Sequence, residues 1–176
     1  MIARSLCEHL QRRDVPFALI GAVALAVHGV ARFTADVDLL TADRRVLDAG
    51  FWQGFEGPAP TLRAGDDDDP LAGVVRFALE PQHDLIVGKS VGTRLALEVA
   101  RMEEGLPCPV ASPLALLVLK SEAGAPQDAH DARALLETQS LLGNSGLAGQ
   151  FRGILPSLNA DAQRFVERFH ILEGLP

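Results

Sequence analysis

Apolar and polar positions recur along this chain with two periods, and the points where the period changes mark the elements. Residues 2–13 set Leu6 and Leu10 four apart among polar neighbours, which predicts an amphipathic helix ended by Asp14 and Pro16. Phe17-Ala-Leu-Ile20 is a short apolar run suited to a buried strand. Gly21 breaks it before an Ala/Val/Leu segment, Ala22 to His28, that suits a closely packed helix, and Gly29 is placed to end that helix. In Thr34-Ala-Asp-Val-Asp-Leu-Leu40, charged residues 36 and 38 alternate with apolar 37 and 39, the period of two of a half-buried strand. The N-terminal unit is thus predicted as strand, helix, strand.

Further on, Asp43 is positioned to cap a helix running to about Phe51. Gly54 to Pro70 gathers glycines, prolines and the acidic run Asp66–Asp69, which predicts a loop with a solvated tip near the site entrance. Val74–Leu79 and His83–Val87 predict a hairpin joined at Glu80-Pro-Gln82 and added to the first sheet. Residues 91–102 are predicted helical, and Leu106–Ala111 extended around its prolines. From residue 112 the pattern is helical. Ser112 and Pro113 form an N-cap and first turn, and that helix runs through Lys120 to Gly124. A second helix starts near Pro126 and carries Asp128 and Asp131 three apart, on one face. Two more, roughly 145–154 and 159–172, complete the pattern, which holds no internal repeat. The expected architecture is mixed α/β (α+β): a small mixed sheet with flanking helices over 1–111, and a C-terminal helical region, 112–176, packed on that core.

Composition narrows the function classes. At 176 residues the chain is the size of one domain. Its 23 acidic against 16 basic residues give a formal charge of −7, which argues against broad electrostatic coating of DNA. Aromatics are 5% with no Tyr, a poor supply for stacking single-stranded bases. Cys7 and Cys108 fit neither a zinc spacing nor a disulfide framework, so reduced thiols and a cytoplasmic location are expected. Val15–Ala31 is the most apolar stretch. It falls short of the ~20 residues of a membrane span and contains Pro16, Gly21, His28 and Gly29, so it is expected to be core rather than a membrane span or signal sequence.

The chemistry concentrates around Gly21 and Asp36-Val-Asp38. Two aspartates one residue apart on a strand point to the same side, and their repulsion favours a cation between them. Mg²⁺ suits such a pair because it takes hard oxygen ligands and leaves positions for water and phosphate. Gly21, at a strand-to-helix junction, lets backbone N–H groups approach an anion closely. For an isolated Asp-x-Asp the plainer interpretation is an exposed strand face beside a simple turn. Here the preceding strand, glycine and helix, with Arg32-Phe-Thr34 between, favour a site for a metal-bound triphosphate.

The segment Phe17 to Leu40, with Gly21-Ala22 and Arg32-Phe-Thr-Ala-Asp-Val-Asp38, resembles the signature of minimal nucleotidyltransferases of the DNA polymerase β superfamily, most of all the abortive-infection type toxin enzymes. Val110-Ala-Ser-Pro, Leu119-Lys120 and Gln127-Asp128-Ala-His-Asp131 resemble that family's second signature, so the likeness spans roughly residues 15 to 137. There are three departures. One extra residue precedes Arg32, Ala22 stands where the family has Gly or Ser, and Gln127 stands where it has Lys. Ala22 offers neither a hydroxyl nor a closer backbone approach, yet leaves the amide donors in place.

The resemblance implies a polymerase-β-like core using Mg²⁺ in a two-metal site and an NTP as substrate. Asp36 and Asp38 would bind the metals, with Asp84 from a neighbouring strand as third carboxylate, activating the attacking hydroxyl for in-line attack on the α-phosphate. Gly21, Ala22, Arg32, Thr34, Lys120 and Asp128 would contact or organise the nucleotide. For Lys120 the competing interpretation is a solvated lysine, and for Asp128 and Asp131 carboxylates favoured at a helix start. The acceptor implied is an RNA or tRNA end, or a hydroxyl on a cognate protein of a toxin–antitoxin system, and a small-molecule acceptor, as in antibiotic-modifying relatives, is the other alternative within this class. Unaided tRNA binding would require Arg12, Arg13, Arg44 and Arg45 to cluster. The alternative is a catalytically degraded fold acting as a protein-binding partner or antitoxin subunit. His83-Asp84 and His130-Asp131 also suggest a His-Asp metal phosphohydrolase, which the strand-like setting of His83 disfavours. The acidic run 66–69 lacks the spaced oxygens of an EF-hand loop.

Overall fold

The computed structural model describes residues 2–66 and 71–174. Its strands are β1 (Phe17–Ile20), β2 (Asp36–Thr41), β3 (Thr61–Ala64), β4 (Leu71–Phe77), β5 (Gln82–Gly88), β6 (Arg101–Met102) and β7 (Pro109–Val110). Its helices are α1 (Arg4–Arg12), α2 (Gly21–Val27), α3 (Val91–Val99), α4 (Pro113–Ala123), α5 (Pro126–Leu141), α6 (Leu147–Ile154) and α7 (Ala160–Arg168). The strands form one mixed sheet in the order β3-β4-β5-β2-β1-β7-β6. At its centre β2 runs antiparallel to β1 and parallel to β5, while β4 and β5 make the expected antiparallel hairpin. The chain is therefore a mixed α/β protein, as its periodicity predicts.

The alternation in β2 divides the sheet's two sides. Val37 and Leu39, with Leu85, Val75 and Phe77 of the neighbouring strands, are buried on one face. There Phe77 meets Trp52 and Phe55, and His9 of α1 stacks on Trp52 at 5.3 Å. Asp36, Asp38 and Asp84 are on the other face, because strand side chains alternate. Buried residues of the C-terminal helices, among them Leu117, Leu135, Phe151 and Phe165, join the same apolar core as Leu19 and Leu39. No helix among the described residues is long and apolar enough to cross a membrane.

Three local expectations are corrected. The helix predicted from Asp43 is instead two 3-10 turns, Arg44–Leu47 and Ala49–Trp52. Asp43 accepts from the Arg45 N–H at 2.9 Å, and Asp48 accepts from the Gly50 N–H at 2.7 Å, restarting the chain in a second turn. The stretch 54–70 contains β3, a short edge strand on which only Leu62 escapes full exposure, so its sequence carries little alternation. The helix predicted over 91–102 stops at Val99, and residues 101–102 pair with β7 instead. Of the acidic run expected to form a loop tip, residues 67–69 lie outside the described residues.

Candidate active site

The parallel pairing of β2 with β5 sets Asp38 directly opposite Asp84 and Asp36 opposite Gln82. Neighbouring strands lie about 4.8 Å apart, so the three aspartates occupy adjacent positions on one face. The same row continues outward from Asp84 to Arg76 on β4 and Thr61 on β3, and inward from Asp38 to Ile20 on β1. Asp38 thus stands beside the point where β1 gives way to α2.

Gly21 makes that junction. Its φ is +67°, and a Cβ there would stand 2.1 Å from Asp38 Oδ2. The carboxylate rests against bare backbone, in space that any other residue would occupy. Ala22, the next residue, is buried. Thr34 exchanges hydrogen bonds with the Asp36 backbone, donating to its carbonyl at 3.1 Å and accepting from its N–H at 3.2 Å, which fixes the entry into β2.

Lys120 reaches the site from α4. Its Nζ lies 2.8 Å from Asp128 Oδ1 and 2.7 Å from Asp131 Oδ2, both on α5. Asp131, with a side chain only 1% exposed, also accepts from Arg32 at 2.8 Å and from Gln127 Nε2 at 3.1 Å. Asp128 in addition accepts from the Ala125 N–H at 3.0 Å and so caps its own helix. Asp128 and Asp131 therefore hold Lys120, and Lys120 is not a solvated surface lysine. Gln127 and Arg32 complete this ion cluster, which ties the segment before β2 to α5.

Electrostatics link the cluster to the aspartates. Burial, together with the like charges of Asp84 and Asp36, pushes the Asp38 carboxyl above the ordinary carboxylate range, while Lys120 and Arg32 oppose that shift. At Asp131, burial raises the proton affinity, but hydrogen bonds from Lys120 and Gln127 and the charges of Lys120 and Arg32 prevail, leaving its carboxyl below the usual range.

Whether these residues fit Mg²⁺ is a question of donors. Asp36 and Asp38 are hard oxygen donors on one strand face, and beyond burial, which contributes most to Asp38's raised proton affinity, the like charges of Asp84 and Asp36 add a repulsion that a cation would relieve. That donor set fits. Asp84 is otherwise engaged: Arg76, a residue the sequence did not single out, donates to both its oxygens at 2.9 and 2.6 Å. Among the described residues no three His, Cys, Asp or Glu side chains converge closely enough to hold a metal.

Two concavities flank the aspartates. One of about 410 Å³ opens beside Asp36 and Thr34, with Val23 and Leu106 in its wall. A smaller groove, about 180 Å³, runs along the row of Thr61, Arg76 and Asp84. A larger cleft, about 780 Å³, lies elsewhere, between the end of α4 and α7, and contains none of the aspartates discussed above.

The remaining candidates separate from the site. His83 is buried on the opposite face of β5 from Asp84, bonded to the Pro81 carbonyl at 2.7 Å and accepting from the Ala3 N–H at 2.9 Å, while His130 is exposed on α5. Structural work occupies His83, so the His-Asp phosphohydrolase interpretation loses its ligand. Of the four arginines named for tRNA binding, Arg45 reaches the Arg13 carbonyl at 3.4 Å and forks onto Asp43, and Arg13 lies 5.2 Å over the Phe51 ring. That pair sits beyond the far end of β2 from Asp36.

No protein-family model and no curated protein matches this sequence. Among solved structures, the fold is similar to that of the antibiotic-resistance factor ANT(2″)-Ia, with 14% identity over 95% of this chain and 93% of that one and a TM-score of 0.53. A nucleotidyltransferase-like antigenic protein from Paracoccidioides brasiliensis is 17% identical over 78% of this chain and 73% of its own, at a TM-score of 0.43, too loose to add to the fold assignment. It is the mixed α/β fold of the resistance factor that this chain shares.

Proposed function

We propose that this chain is a nucleotidyltransferase that moves a nucleoside monophosphate from an NTP such as ATP to an acceptor hydroxyl. The observation that carries this reading is the grouping of Gly21, Asp38 and Asp84: a carboxylate lodged against a bare strand-to-helix junction and faced, in register, by a second carboxylate. Asp36 and Asp38 would hold Mg²⁺, and Asp84 would join them in a two-metal site. Mg²⁺ bound there supplies charge neutralisation to the triphosphate. In this reading the backbone at Gly21 and Ala22 receives phosphate oxygens, and Thr34 keeps Asp36 aligned. Lys120, positioned by Asp128 and Asp131, adds positive charge close to Asp38, and Arg32 stiffens the same corner. Asp84 takes the proton of the attacking hydroxyl as pyrophosphate leaves the α-phosphate. Residues 1–111 carry the aspartates, and the helical region 112–176 contributes Lys120.

The acceptor we propose is an RNA or tRNA end or a partner protein's hydroxyl, in a cytoplasmic toxin–antitoxin system. The fold shared with an antibiotic-resistance factor keeps a small-molecule acceptor in view. One observation favours a second reading, a degraded transferase serving as a binding partner: Arg76 occupies both oxygens of Asp84.

Label transfer separates them. Purified protein with Mg²⁺ and each α-labelled NTP in turn is given total RNA and cell extract as acceptors. Label entering an RNA or protein band, and absent with Asp36→Asn/Asp38→Asn, supports the transferase. A folded protein that transfers none of the four nucleotides supports the partner reading.

A further inference from the structure

Of the three aspartates, Asp84 alone has an ion-pair partner among the described residues. Arg76 meets it across the β4–β5 pair, Nε to Oδ1 at 2.9 Å and Nη2 to Oδ2 at 2.6 Å, and Gln82 Nε2 leans on Oδ1 at 3.4 Å. Both carboxylate oxygens are taken by one planar fork, the arrangement that gives arginine its directional hold on a carboxylate. The direction of that hold matters. β4 borders β5 on the side away from β2, so the fork draws Asp84 off Asp38 and toward the groove lined by Thr61, Arg63 and Arg76. That no three such ligands converge among the described residues accords with this geometry.

The pair is also easy to open. The Arg76 side chain is 56% exposed, and among the described residues Asp84 is its only ion-pair partner. An ion pair this exposed is weak and exchanges readily with water. The carboxylate it holds is a short side chain with staggered alternatives about χ1.

Resting on the nucleotidyl-transfer reading above, we infer that Arg76 is a latch on the third carboxylate. Paired, it withholds Asp84 from Asp36 and Asp38. Swung into solvent, it lets Asp84 turn toward β2 and complete the cation site. Arg76 is a positioning residue, acting only through Asp84, and it makes the closed arrangement the resting one.

The test is calorimetric titration of Mn²⁺ into the metal-free full chain, for the wild type, Arg76→Ala, Arg76→Lys and Arg76→Ala/Asp84→Asn, each checked for folding by circular dichroism. The alanine variant is expected to bind Mn²⁺ about two- to fivefold tighter, the scale of one exposed bidentate pair that no longer has to open. Lysine keeps the charge without the fork and should fall between; it decides the matter should the alanine variant not fold. The double variant should lose the gain, and a gain in the lysine variant, whose charge is kept, is one that a mere change of local field would not give. Equal affinities in wild type and both single variants, or a gain that survives Asp84→Asn, overturns the latch and leaves nucleotidyl transfer standing. No Mn²⁺ binding by any of them also overturns it, and label transfer by the wild type then decides the broader reading separately.

Discussion

Gly21 and Asp38 share one small volume: a Cβ on the glycine would stand 2.1 Å from the aspartate's Oδ2, at a residue whose φ is +67°. Gly21→Ala therefore meets two costs, a left-handed backbone and a displaced carboxylate. The first is worth ~1 kcal/mol, and the second is cheap in stability because Asp38 can rotate aside. Chemical denaturation should show a loss of about 1–2 kcal/mol, whereas cation and nucleotide binding should fall far more. In the Gly21→Ala/Asp38→Ala double variant the stability losses should be less than additive, since truncating Asp38 vacates the space. Strict additivity would show that the two residues do not compete.

Asp38 holds its charge at a cost. Its carboxyl is pushed up by burial and by Asp84 and Asp36. A raised carboxyl favours folding fully below its unfolded value and ceases to do so as pH rises through the folded one. In chelator at pH 7, Asp38→Asn should therefore melt above the wild type. That advantage should shrink as the pH falls through Asp38's raised range and be gone below the ordinary 3.8 of an aspartate. A wild type that melts higher at neutral pH would show that its neighbours stabilise the ionised form instead.

A working site should couple ligand to stability. NTP with Mg²⁺ at about a hundred times the dissociation constant would add about 2.7 kcal/mol to the folded state. The wild type should show that rise in thermal melts, and Asp36→Asn/Asp38→Asn should not. A rise of equal size in the double variant would place the ligand elsewhere.

The parts of this site that were legible in the sequence are those set by short-range geometry. Alternation in residues 34–40 places Asp36 and Asp38 on one face, and the strand, glycine, helix order places Gly21 beside them. Pairing Asp38 with Asp84 needs the order of strands in the sheet, which no local pattern carries, so Asp84 came from resemblance. Arg76 is not legible locally: a bend centred on Pro81 would set Asp84 against Ala78, and only the observed register, two residues off that, brings Arg76 to face it. β3 was missed because an exposed edge strand has no buried side to impose alternation.

Asp131 carries the clearest pH signature. Its side chain is 1% exposed and receives Lys120, Arg32 and Gln127. Replacing it with asparagine leaves the Lys120 ammonium, itself only 14% exposed, short of one of its two carboxylates. Breaking such a buried pair costs roughly 3 kcal/mol at neutral pH. The Asp131 carboxyl is held below its ordinary 3.8, because the hydrogen bonds and positive charges outweigh burial. A depressed carboxyl stabilises the fold above its unfolded value, and that contribution disappears as pH falls through the folded one. The gap between wild type and Asp131→Asn should thus be constant from about pH 5 upward and close in acid below about pH 4. Denaturant midpoints taken across that range measure it. A gap that persists unchanged into strong acid would mean that asparagine's cost is steric and that the ion cluster around Lys120 contributes little.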